Sequence, residues 1–263
     1  MYTLKYKTTA NFFRELYVRN PLLVTFGVAN GLGFLAVLAI SMFDHRMLLG
    51  VNVWVKPMKF FISIAIFVMT LAWYMAYIPS PKKVRLISIG IIAVMGLEIL
   101  IIAGQASMGK LSHFNVSSPF DGLLFSLMGM AIVVNTLLVL WAFVLFRKAQ
   151  GLPRGYKLAI QLGMAIFILA SLEGFVMVSN LGHTIGAEDG QPGWFFLNWA
   201  YQYGDLRVAH FLGLHALQAV PLFAWFVSKD KVRPVVIFAL VYGLLSLATF
   251  LQALAGLPLI FMN

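Results

Sequence analysis

The sequence predicts an all-α fold, a seven-helix transmembrane bundle, and three observations carry that prediction. Of the 263 residues, 61% are hydrophobic and only 11% charged, with a mean hydropathy of +0.90, whereas a soluble domain carries about 25% charge. Seven apolar runs fall at about 21–43, 57–79, 86–107, 120–146, 158–181, 206–227 and 234–258, each near the roughly 20 residues that cross a bilayer. The cations gather at alternate gaps between those runs. Lys5, Lys7, Arg14, Arg19, Lys82, Lys83, Arg85, Arg147, Lys148, Arg154, Lys157, Lys229, Lys231 and Arg233 make up 14 of the 19 basic residues.

That bias sets an orientation, because short cytoplasmic connections carry the excess of Lys and Arg. The N-terminus is expected in the cytoplasm and the C-terminus on the outer, periplasmic side of an inner (plasma) membrane. The net charge of +10 then reflects topology and attraction to anionic lipid. It is not read as a nucleic-acid footprint. The expected partners are the lipid bilayer and a small or lipid-soluble substrate, with no nucleic acid.

Residues 1–20 are polar, basic and aromatic, with no apolar core or small-residue cleavage site. They read as a cytoplasmic amphipathic segment lying along the membrane surface, not as a signal peptide. Residues 21–263 form one membrane domain. Trp73, Tyr74, Tyr77, Trp141 and Trp225 fall at inner ends of the runs, and Trp54, Trp194, Trp199, Tyr201 and Tyr203 at outer ends, as aromatic belts do. The chain has no cysteine, which excludes disulfides, thiolate-held iron–sulfur clusters and covalently attached c-type haem. The longest connections, 108–119 and 182–205, lie on the outer side.

The polar groups inside the runs carry the functional signal, since each costs several kcal/mol in lipid unless paired or hydrated. At the start of the second run, Lys56 and Lys59 flank Pro57. Proline is ordinary there, but cations at a helix N-terminus are disfavoured unless an anion offsets them. These lysines either snorkel to outer headgroups or meet Glu98, Glu173 or an anionic ligand. Glu98 is followed seven residues on by Gln105 in the third run, and Glu173 by Asn180 in the fifth. Seven residues return to within about 20° on a helix, so acid and amide share a face. In the sixth run Arg207, His210, His215 and Gln218 fall on an arc of about 140° that faces the bundle interior. Asp205 and Asp121 precede or open their runs in capping positions.

His210 and His215 are five apart, which is not the four-residue spacing of a zinc-binding helical pair. A metal would therefore draw further ligands from His113 and His183 in the outer loops. His45, between Asp44 and Arg46, reads as a surface residue. A retinal protein is excluded because residues 234–263 contain no lysine, and the HxxxH-like pair of seven-helix ceramidase-type hydrolases is not reproduced.

The motifs Trp54-Val-Lys56-Pro57-Met-Lys59-Phe60 and Gly204-Asp205-Leu206-Arg207, with His210, Gly213, His215 and Gln218, resemble a group of bacterial multi-pass membrane proteins of unassigned activity. The resemblance spans most of the chain and implies a bacterial membrane location. It supplies no mechanism.

The expected site is a polar, His-rich pocket opening outward. Glu98, Glu173 and Arg207 are its catalytic candidates, and Lys56, Lys59, Gln105, Asn180 and Gln218 its ligand-binding ones. His113, His183, His210 and His215 would hold a metal ion or b-type haem. One alternative is a proton-coupled transporter of an anionic solute, with the two glutamates as carriers. Another is a sensor or assembly subunit whose polar residues hold helices together. The nearly apolar inner halves of the second, fourth and sixth runs favour a one-sided pocket.

Overall fold

A chain in lipid must satisfy its backbone internally, and every long apolar run here does so as a helix. The structure is a computed structural model and describes residues 9–260. The helices are α1 (Thr9–Arg19), α2 (Pro21–Ser41), α3 (Val55–Met75), α4 (Pro81–Ser107), α5 (Pro119–Phe146), α6 (Arg154–Ser171), α7 (Glu173–Asn180), α8 (Leu206–Phe223) and α9 (Val232–Leu254). A π-helical turn, Ala224–Ser228, extends α8. With α6 and α7 counted as one span, and α8 with its π-helical turn as another, seven helical segments are long and apolar enough to cross a membrane. They coincide with the seven runs to within a few residues.

Local sequence sets the ends of these helices. Pro21, Pro81 and Pro119 each open a helix, where the missing N–H costs nothing. The break between α6 and α7 falls at Leu172, and the π-helical turn follows Pro221 inside α8, which removes a backbone donor. Two short hairpin-like clips complete the chain, β1 (Met47–Leu48) with β2 (Val51–Asn52) and β3 (Thr184–Ile185) with β4 (Gly204–Asp205).

Successive spans place the connections alternately at two ends. One end holds α1 and the turns at 76–80, 147–153 and 229–231. There the Arg19 guanidinium lies 3.9 Å over the Trp73 ring, and Phe12 stacks on Trp73 at 5.5 Å. The Tyr156 backbone N–H donates to Asp230 Oδ1 at 2.8 Å. A helix is thus present over Thr9–Arg19, packed on α3, while Lys5 and Lys7 lie outside the described residues. The other end, here the loop end, gathers residues 42–54, 108–118 and 181–205.

The largest apolar cluster fills the half nearer α1. It includes Leu23, Leu71, Met75, Ile87, Ile91, Phe146, Ile160 and Leu217. Helices α6 and α8 meet through small residues, as packing between helices in lipid favours. A Cβ on Gly213 would stand 2.2 Å from Ala170 Cβ, so only glycine fits that crossing. Leu240, Leu244, Leu247 and Leu251 of α9 are exposed and form its lipid-facing row.

Candidate functional site

Glu98 is the most isolated polar group of the loop-end half. It is 1% exposed, and neither carboxyl oxygen has a hydrogen-bond partner. The chain leaves α4 and folds back over it. Gly109 adopts a positive φ of 69° and the Lys110 N–H donates to the Gln105 carbonyl at 2.9 Å, so His113 returns to place Nε2 3.5 Å from Glu98 Oε1. Phe60 and Phe125 flank the His113 ring at 5.7 and 6.4 Å. Burial, with Lys56 and His183 nearby, pushes the His113 pKa well below the usual histidine value, so the ring stays neutral.

Asp121 anchors this loop. Ser118 Oγ accepts from the Asp121 N–H at 3.1 Å and donates to Asp121 Oδ2 at 2.6 Å, so Ser118 caps α5 and Asp121 bonds its hydroxyl. Gln105 Nε2 donates to Asp121 Oδ1 at 2.9 Å, and Lys110 Nζ pairs with Oδ2 at 3.1 Å. Gln105 therefore braces the loop through its amide nitrogen.

A second pair stands beside the first. Phe114 takes a left-handed backbone (φ 57°), costly for an aromatic residue, and its ring meets His183 at 4.9 Å. His183 Nδ1 lies 2.5 Å from Asp189 Oδ2, while Asp189 Oδ1 accepts the backbone N–H groups of His183 and Thr184 at 2.9 and 3.0 Å. Burial works against ionisation of Asp189, but hydrogen bonding and charge from His183 outweigh it and hold the carboxyl below the ordinary range. Burial lowers the His183 pKa despite that partner. With Nδ1 held by the carboxylate, Nε2 is the nitrogen left for chemistry.

The third pair comes from the broken helix. Glu173 opens α7 just beyond the break, with Oε2 lacking a hydrogen-bond partner. His210 Nδ1 is 3.0 Å from the Ala170 carbonyl and 4.0 Å from Glu173 Oε2. The Gly213–Ala170 crossing brings these helices together.

The cations do different work from that expected. Arg207 does not pair with Glu98 or Glu173. Its Nε donates to Asp205 Oδ1 at 2.9 Å, and its Nη2 to Asp205 Oδ2 and the Asn198 carbonyl, both at 2.5 Å. Asp205 also accepts the Ala200 N–H at 2.8 Å, so the fork clasps the 194–200 segment. Lys59 Nζ donates to the Leu197 carbonyl of that segment at 3.1 Å. Lys56 is half-buried and makes no hydrogen bond or ion pair among the described residues, although it lies in the field of Glu98, Asp189, Lys59 and Arg207.

Two predicted ligand-binding amides lie elsewhere. Asn180 is exposed and its amide donates to the Gly182 and Thr184 carbonyls at 3.2 and 3.0 Å, securing a turn. Gln218 Nε2 bonds Thr70 Oγ1 at 3.1 Å, tying α8 to α3. The His215 ring lies 4.3 Å from that of Phe211, tilted by 58°, apart from the acid–histidine pairs, and His45 is exposed as expected. Among the described residues no group of three or more His, Asp or Glu is placed to hold a metal ion. The four candidate histidines thus do not assemble as ligands of one centre. Asp189 and Phe114 carry roles that the sequence did not reveal, because both lie in aperiodic loops.

No protein-family model, curated protein or solved structure matches this chain.

Proposed function

We propose that this multi-pass membrane protein carries an acid–base site at its loop end, where Glu98 with His113 exchanges protons with a small or lipid-soluble substrate and Glu173, beside His210, is a second titratable carboxyl. The observation that carries the reading is Glu98, sealed from solvent with both oxygens unpartnered and an imidazole nitrogen 3.5 Å away. Ionisable groups kept inside a membrane without a structural partner serve proton chemistry far more often than stability. A carboxyl and a neutral imidazole at that separation form a donor–acceptor pair for one proton. The pairs support proton exchange better than a metal centre of three protein ligands, since no third ligand stands beside any of them among the described residues.

The apolar half nearer α1 supports a site open from one end rather than a transport path. The cation count further supports placing the α1 end in the cytoplasm of a bacterial inner membrane, in keeping with the resemblance noted above. Infrared difference spectra of the protein in lipid, recorded between about pH 5 and 9, test the assignment. A titrating carboxyl band should vanish in Glu98→Gln and a second in Glu173→Gln. Unchanged bands in both variants would refute the reading.

A further inference from the structure

We propose that the groove between α8 and α9 at the α1 end seats a phospholipid with an anionic headgroup, its phosphate on Arg233 and an acyl chain along the groove. This site stands apart from the acid–base groups, which lie in the opposite half.

The groove has a volume of about 500 Å³ and is lined by Phe223, Arg233, Pro234, Ile237, Phe238 and Val241. Its α9 wall follows from spacing. Positions 234, 237, 238 and 241 recur at i, i+3, i+4 and i+7, which is one face of a helix, and all four carry apolar side chains. Phe223 of α8 stacks on Phe238 with centroids 4.1 Å apart and planes within 3°, which closes the groove on its other side. The apolar stripe runs for about 10 Å along the axis at 1.5 Å per residue. Ile237 and Val241 within it are exposed. On the flank of a spanning helix the surrounding medium is acyl chain, so hydrocarbon fills this groove.

Charge selects the headgroup. Arg233 stands at the rim, exposed, with Lys229 and Lys231 just before it in the chain. Between residues 206 and 263 the sole acidic side chain is Asp230, and its Oδ1 accepts the Tyr156 N–H at 2.8 Å. Glu15, the other described acid of this end, pairs with Arg19 at 2.9 Å. Arg233 itself makes no ion pair among the described residues. A zwitterionic headgroup would bring an ammonium among these cations, whereas an anionic one leaves its charge free to meet them. The guanidinium suits a phosphate because its planar fork donates two parallel N–H bonds, and both lysines can snorkel to the same headgroup.

The test uses the whole protein in phosphatidylcholine nanodiscs that contain a minor share of phosphatidylglycerol. Native mass spectrometry of the released protein reads which lipid stays bound. Phosphatidylglycerol should be retained above its bulk fraction, and about fivefold less in Arg233→Gln, the factor expected for one cation at a membrane surface. Ile237→Trp keeps the charge but fills the groove, and it should lower retention as well. Lys148→Gln removes a cation from the same end without touching the groove and should leave retention unchanged. In the unaltered protein, phosphatidylglycerol carrying a diazirine on its acyl chain should crosslink to Phe223 and residues 234–241, which needs no variant to fold.

Retention no higher than the bulk fraction, or equal retention of phosphatidylcholine, overturns the proposal. Retention undiminished in Arg233→Gln or in Ile237→Trp overturns it equally. An equal loss in Lys148→Gln does the same, since the charge of the whole end would then suffice without a groove. Crosslinks spread evenly over the exposed rows of α5 and α9 would reveal ordinary lipid contact and refute the site.

Discussion

Replacing Arg207 with Met should cost about 3 kcal/mol and loosen the 194–200 segment without unfolding the bundle. The guanidinium makes three short bonds, two to Asp205 and one to the Asn198 carbonyl. The Asp205 side chain is 2% exposed against 24% for Arg207. Breaking a buried pair from one side costs about 3 to 5 kcal/mol because the surviving charge is stranded. Here the backbone N–H groups of Ala200 and Arg207 still reach Asp205 at 2.8 and 3.0 Å, which holds the cost to the lower end. Asp205→Asn retains the shape of the cap, so the double variant should lose about 1 to 2 kcal/mol less than the sum. Thermal unfolding in detergent gives the cycle, and limited proteolysis between residues 194 and 200 reports the loop. Additive losses for positions 205 and 207, together with coupling of Arg207 to Glu98 or Glu173, would refute the reasoning.

Two further outcomes are expected. His113 and His183 titrate below their unfolded value, so under about pH 6.5 the unfolded chain binds more protons than the folded one and stability falls with pH. Each ring contributes at most about 1.4 kcal/mol per pH unit. Unfolding temperatures measured from about pH 7.5 down to 5.5 should therefore decline, less steeply in His113→Gln, and a rise on acidification would contradict the burial argument. For topology, Glu188→Cys should react with an impermeant thiol reagent on intact cells and Lys148→Cys only after the cells are opened. The reverse pattern would invert the orientation given by the cation count.

The spans were legible because twenty apolar residues in sequence leave the chain little choice but a helix. The site was legible only where periodicity applies. Glu98 and Gln105 are each 1% exposed, as their shared face implied. Asp205 was legible as an N-cap, and its side chain accepts the Arg207 N–H at 3.0 Å, but its pairing with the Arg207 guanidinium was not, because at the extended cap position (φ −127°, ψ 108°) a helical wheel gives no direction. The matching stripe expected of Glu173 and Asn180 fails because Asn180 is the last residue of α7, at an exposed turn where its amide goes to the Gly182 and Thr184 carbonyls. The pairing of His113 with Glu98 depends on a positive-φ glycine and a loop anchored on Asp121, neither of which has a period to read.

The depth of Glu98 sets how the site responds to membrane voltage. It lies nine positions before the end of α4 at Ser107, about 14 Å along the axis at 1.5 Å per residue, and part of that length lies in the headgroup region. A proton arriving from the loop end thus crosses less than half of a hydrocarbon layer about 30 Å thick. Beyond it lie the packed side chains of Ile91, Ile87 and Met75. Complete passage of one charge would couple to the potential by about 2.3 kcal/mol per 100 mV, and a proton halted at Glu98 senses only a fraction of that. Protonation of Glu98 from the loop end should therefore respond to 100 mV by at most about 1 kcal/mol, less than half of what complete passage would show.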